Sequence, residues 1–323
     1  SLWTSLADGM DSTVEDPTIL LNNYHLPSDT CHALVDGIVA GTASIVSDGS
    51  FNPESLMGPT GTSAVVLAPS TECPAKFYAK GNNWVTGSGA DQSAYRSELA
   101  GVISALTMLD VLVRHYKITD GAVTIALDGD SALIQSGGDW PLSVAQADFD
   151  YLQVIRAWIK LSPLKFSFYY VKGHQTDHVR YDQLDWWGQR NEDVDASAKS
   201  FLHKCTTGPV ANRKVYIQPT LYLEKWALSI DGSKLTSITR NSLYISLYGG
   251  RTLEYWAKKD NLPRDPTRIL WEESRLARKK MSRAQCRIDT KLLCNQCGLA
   301  QTLFNRRHQD THHCPVCEAP GED

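Results

Sequence analysis

Two short apolar segments that each run directly into an aspartate constrain the fold of this chain more than any other feature. The first is Ala43–Asp48, followed by Gly49 and Ser50, and the second is Val123–Leu127, followed by Asp128. We predict a buried strand for each segment. A charge at the end of a buried strand is costly unless it meets water, a partner or a metal ion. Adjacent parallel strands would bring the two carboxylates together at one edge of a sheet.

The remaining apolar pattern predicts an α/β fold, in which helices pack on a mixed sheet. Further strands are predicted at Ser63–Ala68, at Lys76–Val85 with a break at residues 81–83, and at Phe166–Val171. Helices are predicted at His32–Ala40, Ser93–Val113, Phe149–Leu161 and Val194–Leu202. We place an N-terminal arm at residues 1–41, a first domain at 42–205 and an accessory domain at 206–323, with a hairpin in Glu224–Ser237.

Two more acidic residues lie where predicted helices begin, Glu98 in the first long helix and Asp195 in the last. Together with Asp48 and Asp128 they could form a cluster of four carboxylates, which repel one another until divalent cations relieve the repulsion. Such a set suits two Mg²⁺ ions that hold the attacking and leaving oxygens of a phosphodiester. The ordinary structural alternative is that acids follow strands and begin helices for turn and dipole reasons. The order of the elements favours the joint site.

Five motifs along the chain resemble the type 1 ribonuclease H domain in the order of that family. They are Ser47-Asp48-Gly49-Ser50, Tyr95-Arg96-Ser97-Glu98-Leu99, Leu127–Leu133, Tyr170–Gln175 and Asn191–Ala196. The resemblance covers residues 42–205, about half of the chain. The Asp-Gly-x-Ser-Ala-Leu wording and Leu184-Asp185-Trp186-Trp187 are most similar to ribonuclease H regions of retrotransposon-type (non-LTR-like) reverse transcriptases.

The resemblance implies a ribonuclease H-like fold with a mixed five-stranded sheet, and hydrolysis of the RNA strand of an RNA–DNA hybrid. It assigns metal binding to Asp48, Glu98, Asp128 and Asp195, with Mg²⁺ as the ion and Mn²⁺ as a substitute. Asp130 competes with Asp128 for the third position, and we prefer Asp128 because it directly ends a strand. His174, in a Lys-Gly-His-Gln loop, would assist proton transfer, since an imidazole titrates near neutral pH.

The same resemblance implies partners and leaves rival functions open. An RNA–DNA hybrid and an upstream reverse transcriptase domain of the same polyprotein are the expected partners. One rival is a catalytically idle ribonuclease H-fold scaffold within a reverse transcriptase. Others are a transposase- or integrase-like nuclease, which would lack the His174 loop, and an independent zinc module in the tail.

Hybrid recognition must use donors other than those of bacterial relatives. Residues 93–95 are Ser-Ala-Tyr, where bacterial relatives have a pair of asparagines. We expect nucleic-acid contacts from a set of small polar and basic side chains, namely Ser50, Asn52, Ser93, Arg96, Arg180, Arg278, Lys279 and Lys280. The adjacent Trp186 and Trp187 are expected to pack in the core rather than to stack on a duplex.

The cysteines indicate a reducing, intracellular setting and a metal question confined to the tail. Of eight cysteines, four have zinc-site spacing: Cys294, Cys297, Cys314 and Cys317. In similar retroelement proteins, however, the second pair is completed by ligands further on, so zinc binding here is left open. The first residues lack an initiator Met and a signal-peptide layout, and we expect a piece of a longer polypeptide. No apolar run is long enough to span a bilayer.

The net charge of −4 conceals an asymmetry that bears on nucleic-acid binding. Residues 1–150 contain 5 basic and 18 acidic residues, whereas residues 151–323 contain 27 basic and 18 acidic residues. Arg275–Arg307 alone holds nine basic residues against one acid, Asp289. The sequence therefore predicts an acidic half that binds metal and a basic half that binds phosphates, although a solvated basic helix would give the same pattern.

Overall fold

The computed structural model describes residues 28–55, 58–87, 91–207, 223–224, 226–230, 233–239, 243 and 280–285. A five-stranded sheet forms the centre of the fold. Its strands are β1 (Ala43–Asn52), β2 (Thr60–Ala68), β3 (Ala79–Trp84), β4 (Gly121–Leu127) and β5 (Leu164–Tyr170). They lie in the order β3-β2-β1-β4-β5, and β1 to β3 form an antiparallel meander, whereas β4 and β5 run parallel to β1. The predicted mixed five-stranded sheet is confirmed.

Helices cover both faces of this sheet. They are α1 (Ser28–Ala40), α2 (Ala94–Tyr116), α3 (Asp130–Gly137), α4 (Phe149–Leu161) and α5 (Trp186–Thr207). One core cluster joins Ile45, Val65 and Leu67 to α1, α2 and α4, and a second joins Val46 and Ala64 to α5. Because alternate residues of β1 and β2 face different helical layers, both faces of these strands are buried and the sequence is apolar with little alternation.

Four elements differ clearly from the prediction. Strand β1 continues past Asp48 to Asn52, because its antiparallel pairing with β2 extends through these residues. Helix α5 begins at Trp186 rather than Val194. The prediction missed its first two turns because they are polar on the solvent side and show little apolar periodicity. Helix α3 was not predicted, since its eight residues give too few turns for a period to emerge. Strand β3 has no break at Gly81–Asn83, because its pairing with β2 continues through these residues.

The chain divides into two compact units, residues 1–247 and 248–323. The predicted hairpin is confirmed by the antiparallel pair β6 (Ser229–Ile230) and β7 (Ser233–Lys234), which belongs to the first unit. The domain boundary at residue 206 stays a prediction. Within the described residues, no helix is both long and apolar enough to cross a membrane. The four tail cysteines, Arg278 and Lys279 lie outside the described residues.

Candidate active site

The parallel pairing of β1 and β4 brings two of the predicted carboxylates to one edge of the sheet. Val46 pairs with Ala126 in this register. Asp48 and Asp128 each lie two residues beyond that pair, Asp48 within β1 just past its last residue paired with β4, and Asp128 directly after the end of β4. Asp48 is buried, with 7% of its surface exposed, and its Oδ1 accepts a 2.6 Å hydrogen bond from the Gly49 N–H. Asp128 is half-buried.

Glu98 joins this edge from α2 because two glycines permit a close approach. A Cβ on Gly49 would lie 2.4 Å from the backbone nitrogen of Glu98, so β1 and the start of α2 are in backbone contact. A Cβ on Gly129 would lie 1.9 Å from Glu98 Oε2. The Glu98 carboxylate therefore lies against the backbone that directly follows Asp128, and a side chain at position 129 would displace this carboxylate.

The electrostatics show that the four carboxylates act on one another. Burial raises the pKa of Asp48 to about 8, with further contributions from the negative charges of Asp128, Asp195 and Glu98. Burial also raises the pKa of Glu98 to about 7, with a smaller contribution from Asp128. Strong shifts that come from burial and from like charges are typical of functional sites. As the side chains stand, however, no three His, Cys, Asp or Glu of the described residues are grouped to hold one metal ion.

Helix α5 contributes the fourth carboxylate and an amide. Asp195 is paired with Lys199 one turn on, at 2.7 Å between Nζ and Oδ2. Asn191 is 1% exposed, and its Nδ2 donates a 3.3 Å hydrogen bond to Asp128 Oδ2. The Asn191 Oδ1 atom is buried and has no partner in the described part of the chain. Asn191 therefore orients Asp128 from the opposite layer.

The loop that carries His174 lies beside Asp128. A Cβ on Gly173 would lie 2.3 Å from Asp128 Oδ2, which places the loop backbone against that carboxylate. His174 is exposed and has a left-handed backbone, with φ of 52°. The Glu192 carboxylate of α5 accepts hydrogen bonds from the backbone N–H of Gln175 at 2.8 Å and from the hydroxyl of Thr176 at 2.7 Å. Glu192 thus anchors the loop one residue after the imidazole.

Asp130 occupies a different position from Asp128. It is exposed, and it lies in the first turn of α3, where an acid suits the helix dipole. It also lines a cleft of about 520 Å³ together with Tyr95 and Glu98. Asp128, rather than Asp130, contributes to the raised pKa values of Asp48 and Glu98. The geometry therefore favours Asp128 as the third carboxylate.

The placement of Arg96 corrects the prediction that it contacts nucleic acid. Its side chain is fully buried, with ion pairs of 2.6 Å to Asp148 and 2.9 Å to Asp150. Its guanidinium carbon lies 3.7 Å from the centroid of the Tyr151 ring. The buried Arg96 side chain is not accessible to a ligand. The sequence contains no local sign of this burial, because the two acids that pair with Arg96 lie about fifty residues further along the chain.

The other predicted contact residues are placed as follows. Ser93 caps α2, with its Oγ accepting a hydrogen bond from the Arg96 N–H. Asn52 Oδ1 accepts one from the backbone of the next turn, and Ser50 is 9% exposed. Arg180 is exposed and pairs with Asp182, while Lys280 is exposed. Their contacts with nucleic acid stay predictions.

The two tryptophans pack as the sequence predicted. Trp186 and Trp187 meet edge to face at 4.8 Å and lie against the second core cluster. Sequence reasoning missed the roles of Asn191, Glu192 and Gly129. All three lie inside the recognised motifs, next to the assigned carboxylates, so motif position was the one signal that could have found them.

The sheet order and the strand-end carboxylates define a ribonuclease H-like fold. No family model matches the sequence, and no curated protein matches it. Among solved structures, LC11-RNase H1, isolated from compost by a metagenomic approach, is 14% identical with a TM-score of 0.34, over 51% of this chain and 98% of that one. RNase H1 from the archaeon Halobacterium salinarum is 17% identical with a TM-score of 0.33, over 51% of this chain and 99% of that one.

A viral domain is similar to the same extent. The PFV (foamy virus) RNase H domain is 17% identical with a TM-score of 0.33, over 49% of this chain and 92% of that one. The structure of LC11-RNase H1 is also known in complex with an RNA/DNA hybrid. At these identities and TM-scores the similarity does not bear on activity, for which the residues of the site are the basis.

Proposed function

We propose that this protein is a metal-dependent endonuclease that hydrolyses the RNA strand of RNA–DNA hybrids. One observation carries the proposal: four carboxylates lie at one edge of the sheet, where burial and then the negative charges of Asp128, Asp195 and Glu98 raise the pKa of Asp48. These four acids belong to four of the five motifs that occur in ribonuclease H order, and the loop that carries His174 lies beside one of the acids, Asp128. An acidic cluster in this state is suited to divalent cations, which relieve the repulsion.

The donor set fits Mg²⁺, a hard cation that prefers carboxylate oxygens. Asp48, Glu98, Asp128 and Asp195 would hold the two ions, with Mn²⁺ as a substitute. When bound, such a pair stabilises the charge on the attacking and leaving oxygens of a phosphodiester. These carboxylates would have to move closer together when a metal ion binds, because no three His, Cys, Asp or Glu side chains of the described residues are grouped to hold one ion.

The protein's own residues supply orientation and proton transfer. Asn191 orients the Asp128 carboxylate through its amide. Gly129 and Gly173 leave room for carboxylates at positions where a side chain would collide with them. His174, exposed beside Asp128, can carry a proton between the site and solvent, since imidazole exchanges protons near neutral pH.

Cleavage of three labelled duplexes in the presence of Mg²⁺ tests the proposal. We expect cutting of the RNA strand in RNA–DNA, with 3′-hydroxyl products, and no cutting of RNA–RNA or DNA–DNA. Asp48→Asn should abolish cutting and leave hybrid binding intact. A wild-type chain that binds the hybrid but never cuts it would establish the rival, an idle scaffold. Normal cutting by Asp48→Asn would refute the metal assignment.

The finer setting of this activity is also proposed. The motif wording supports the ribonuclease H part of a retroelement reverse transcriptase, with an upstream polymerase domain as partner. The basic segment Arg275–Arg307 would bind phosphates, so hybrid affinity should fall steeply with added salt. Charge reversal at Arg278, Lys279 and Lys280 should flatten that salt dependence, and an unchanged slope would remove the segment from the interface.

Zinc binding by the cysteine tail is a separate proposal. Its test is metal analysis of the purified chain, with about one equivalent of Zn²⁺ expected from one four-cysteine site. A Cys314→Ser/Cys317→Ser double variant should lose it. A wild-type chain without zinc would remove the claim.

A further inference from the structure

A segment that follows the ribonuclease H motifs packs against the start of α4. We call it the strap, defined as the described residues 223–224, 226–230 and 233–239. The Ile238 N–H donates a 2.6 Å hydrogen bond to the carbonyl of Val144, and the Thr236 hydroxyl donates to Asp91 Oδ1 at 3.1 Å. The Trp226 ring lies 5.8 Å from that of Phe149. The strap is therefore fixed by polar and apolar contacts.

Buried charges join the strap to the core of the domain. Lys234 is 6% exposed, and its Nζ lies 2.6 Å from Glu224 Oε2 and 3.5 Å from Asp150 Oδ2. The same Asp150 accepts two hydrogen bonds from Arg96, at 3.0 and 2.9 Å, and Asp148 accepts a third at 2.6 Å. We call these five side chains the paired network. Each buried charge in it has at least one partner of opposite sign, which is the condition for burying charge at all.

The paired network ends two residues from a site carboxylate. Arg96 lies in the first turn of α2, and Glu98 follows it on the same helix. The Arg96 side chain also donates to the Thr86 carbonyl, while its N–H donates to the Ser93 cap. The orientation of this first turn is thus set by Arg96, whose partner Asp150 is shared with Lys234.

The strap also supports one wall of the cleft beside Glu98. That cleft is lined on one side by Tyr95 and Glu98, and on another by Gln146 and Ala147. The strap holds the backbone on both sides of these last two residues, through Val144 and through a 3.4 Å hydrogen bond from the Asp150 N–H to the Thr236 carbonyl. Both walls therefore depend on contacts that involve the strap.

We infer that Lys234 is a positioning residue for the nuclease site, acting through Asp150 and Arg96 on the turn that carries Glu98. The inference rests on the proposed function and extends it: the site requires a segment beyond the last ribonuclease H motif. Lys234 itself would touch neither substrate nor metal. Without it, Asp150 and Glu224 would be left as buried acids with fewer partners, and the Arg96 contacts would rearrange.

The test compares Lys234→Met with wild type in the full 323-residue chain. Methionine keeps the length of the side chain and removes its charge. We expect the Mg²⁺ concentration for half-maximal hybrid cleavage to rise roughly 10- to 100-fold, the range for residues that orient metal ligands. Hydrogen exchange of the backbone amides of residues 96–98, measured without metal, should become faster. Lys234→Arg, which keeps the charge, should remain close to wild type in both measurements.

Two control variants separate positioning from general loss of stability. Leu34→Ala removes a buried side chain of α1 outside the paired network, and it should lower stability without moving the Mg²⁺ midpoint. Lys165→Met removes an exposed lysine paired with Asp120 at 3.8 Å, and it should change nothing. If Lys234→Met does not fold, Glu224→Gln replaces it, with a smaller change in the same direction expected.

The outcomes distinguish this inference from the proposed function. An unchanged Mg²⁺ midpoint with unchanged exchange at residues 96–98 in the lysine variant, or in Glu224→Gln where that replaces it, overturns the inference while leaving the nuclease proposal intact. An equal shift in Leu34→Ala also overturns it. If wild type does not cut the hybrid, the proposed function fails. The exchange measurement with its Leu34→Ala control then decides only whether Lys234 orients the turn that carries Glu98.

Discussion

The fold contains two groups of buried or half-buried acids that differ in how their charge is balanced. In the paired network, Arg96 and Lys234 lie between Asp148, Asp150 and Glu224. The second group, here called the strand-end group, consists of Asp48, Glu98, Asp128 and Asp195. Burial, together with the neighbouring carboxylates, raises the pKa of Asp48 to about 8 and that of Glu98 to about 7.

This balance of charge distinguishes the group that stabilises the fold from the group that is suited to a ligand. Pairing within the protein makes a buried charge tolerable, whereas an unpaired group of like charges opposes folding until a cation arrives. Lys199 pairs directly with Asp195 and acts from a greater distance on Asp48, but its own side chain is half exposed. The paired network is therefore structural, and the strand-end group is suited to bind cations from solution.

The largest effect should come from removing one carboxylate of the strand-end group. Asp128→Asn should lower kcat by more than about a hundredfold, since even residues that only orient metal ligands contribute roughly 10- to 100-fold. Asp130→Asn is the matched control, because the same change two residues away removes an exposed acid of α3. It should leave kcat within about threefold, well below the effect of an outer-shell partner. A larger loss from Asp130→Asn would exchange the two assignments.

The paired network should instead control stability. Arg96→Met leaves Asp148 and Asp150 buried without their arginine, and breaking a buried pair costs about 3–5 kcal/mol of unfolding free energy. Added Mg²⁺ should not remove this difference from wild type. Arg180→Met removes an exposed arginine paired with Asp182, and such pairs contribute about 0–1 kcal/mol. Urea unfolding of both variants measures the difference, and equal losses would show that burial does not distinguish the pairs.

The pH dependence of stability tests the strand-end group without any cleavage assay. Asp48 and Glu98 have folded pKa values above their ordinary values of 3.8 and 4.5, so folding favours their protonated forms. Their contribution to stability is full below about pH 4 and is lost as the pH rises toward 8. Each pH unit by which a pKa is raised corresponds to about 1.4 kcal/mol once the group ionises.

Metal-free protein should therefore unfold more easily in urea at about pH 8 than at about pH 5. Asp48→Asn should flatten this dependence, and Asp182→Asn, an exposed carboxyl outside the group, should not. Added Mg²⁺ at ten times its Kd should restore about 1.4 kcal/mol at the higher pH. Stability that rises between these pH values in EDTA would show that the carboxylates are not mutually destabilising.

The contrast between the two groups also shows how far the sequence could go. Asp48 and Asp128 were predictable, because an acid directly after an apolar run is a local pattern and the parallel register follows from the element order. Glu98 and Asp195 were expected from their places in two predicted helices, and the motif resemblance then assigned them the same role. The geometry then added what the pattern omits, namely the glycine contacts that let Glu98 reach the strand ends.

The paired network was not predictable from sequence. Arg96 lies in a motif next to Glu98, so sequence reasoning assigned it to nucleic acid. Its partners Asp148 and Asp150 lie more than fifty positions away, and Lys234 lies further still. A long-range ion pair leaves no periodicity and no spacing, and only tertiary packing reveals that the arginine is enclosed.

The smallest effect should come from Glu192, an acid close to the strand-end group that pairs with backbone amides instead of repelling neighbours. Glu192→Gln weakens the hydrogen bonds to Gln175 and Thr176 and so loosens the His174 loop. We expect kcat to fall about tenfold, less than the roughly 10²–10⁴-fold that a general acid–base side chain contributes. The Mg²⁺ midpoint should not change, because Glu192 holds a loop and not a metal. Asp193→Asn, which removes the neighbouring acid paired with Arg190, is the matched control and should preserve kcat. A shifted Mg²⁺ midpoint in Glu192→Gln would place this residue among the metal-binding carboxylates.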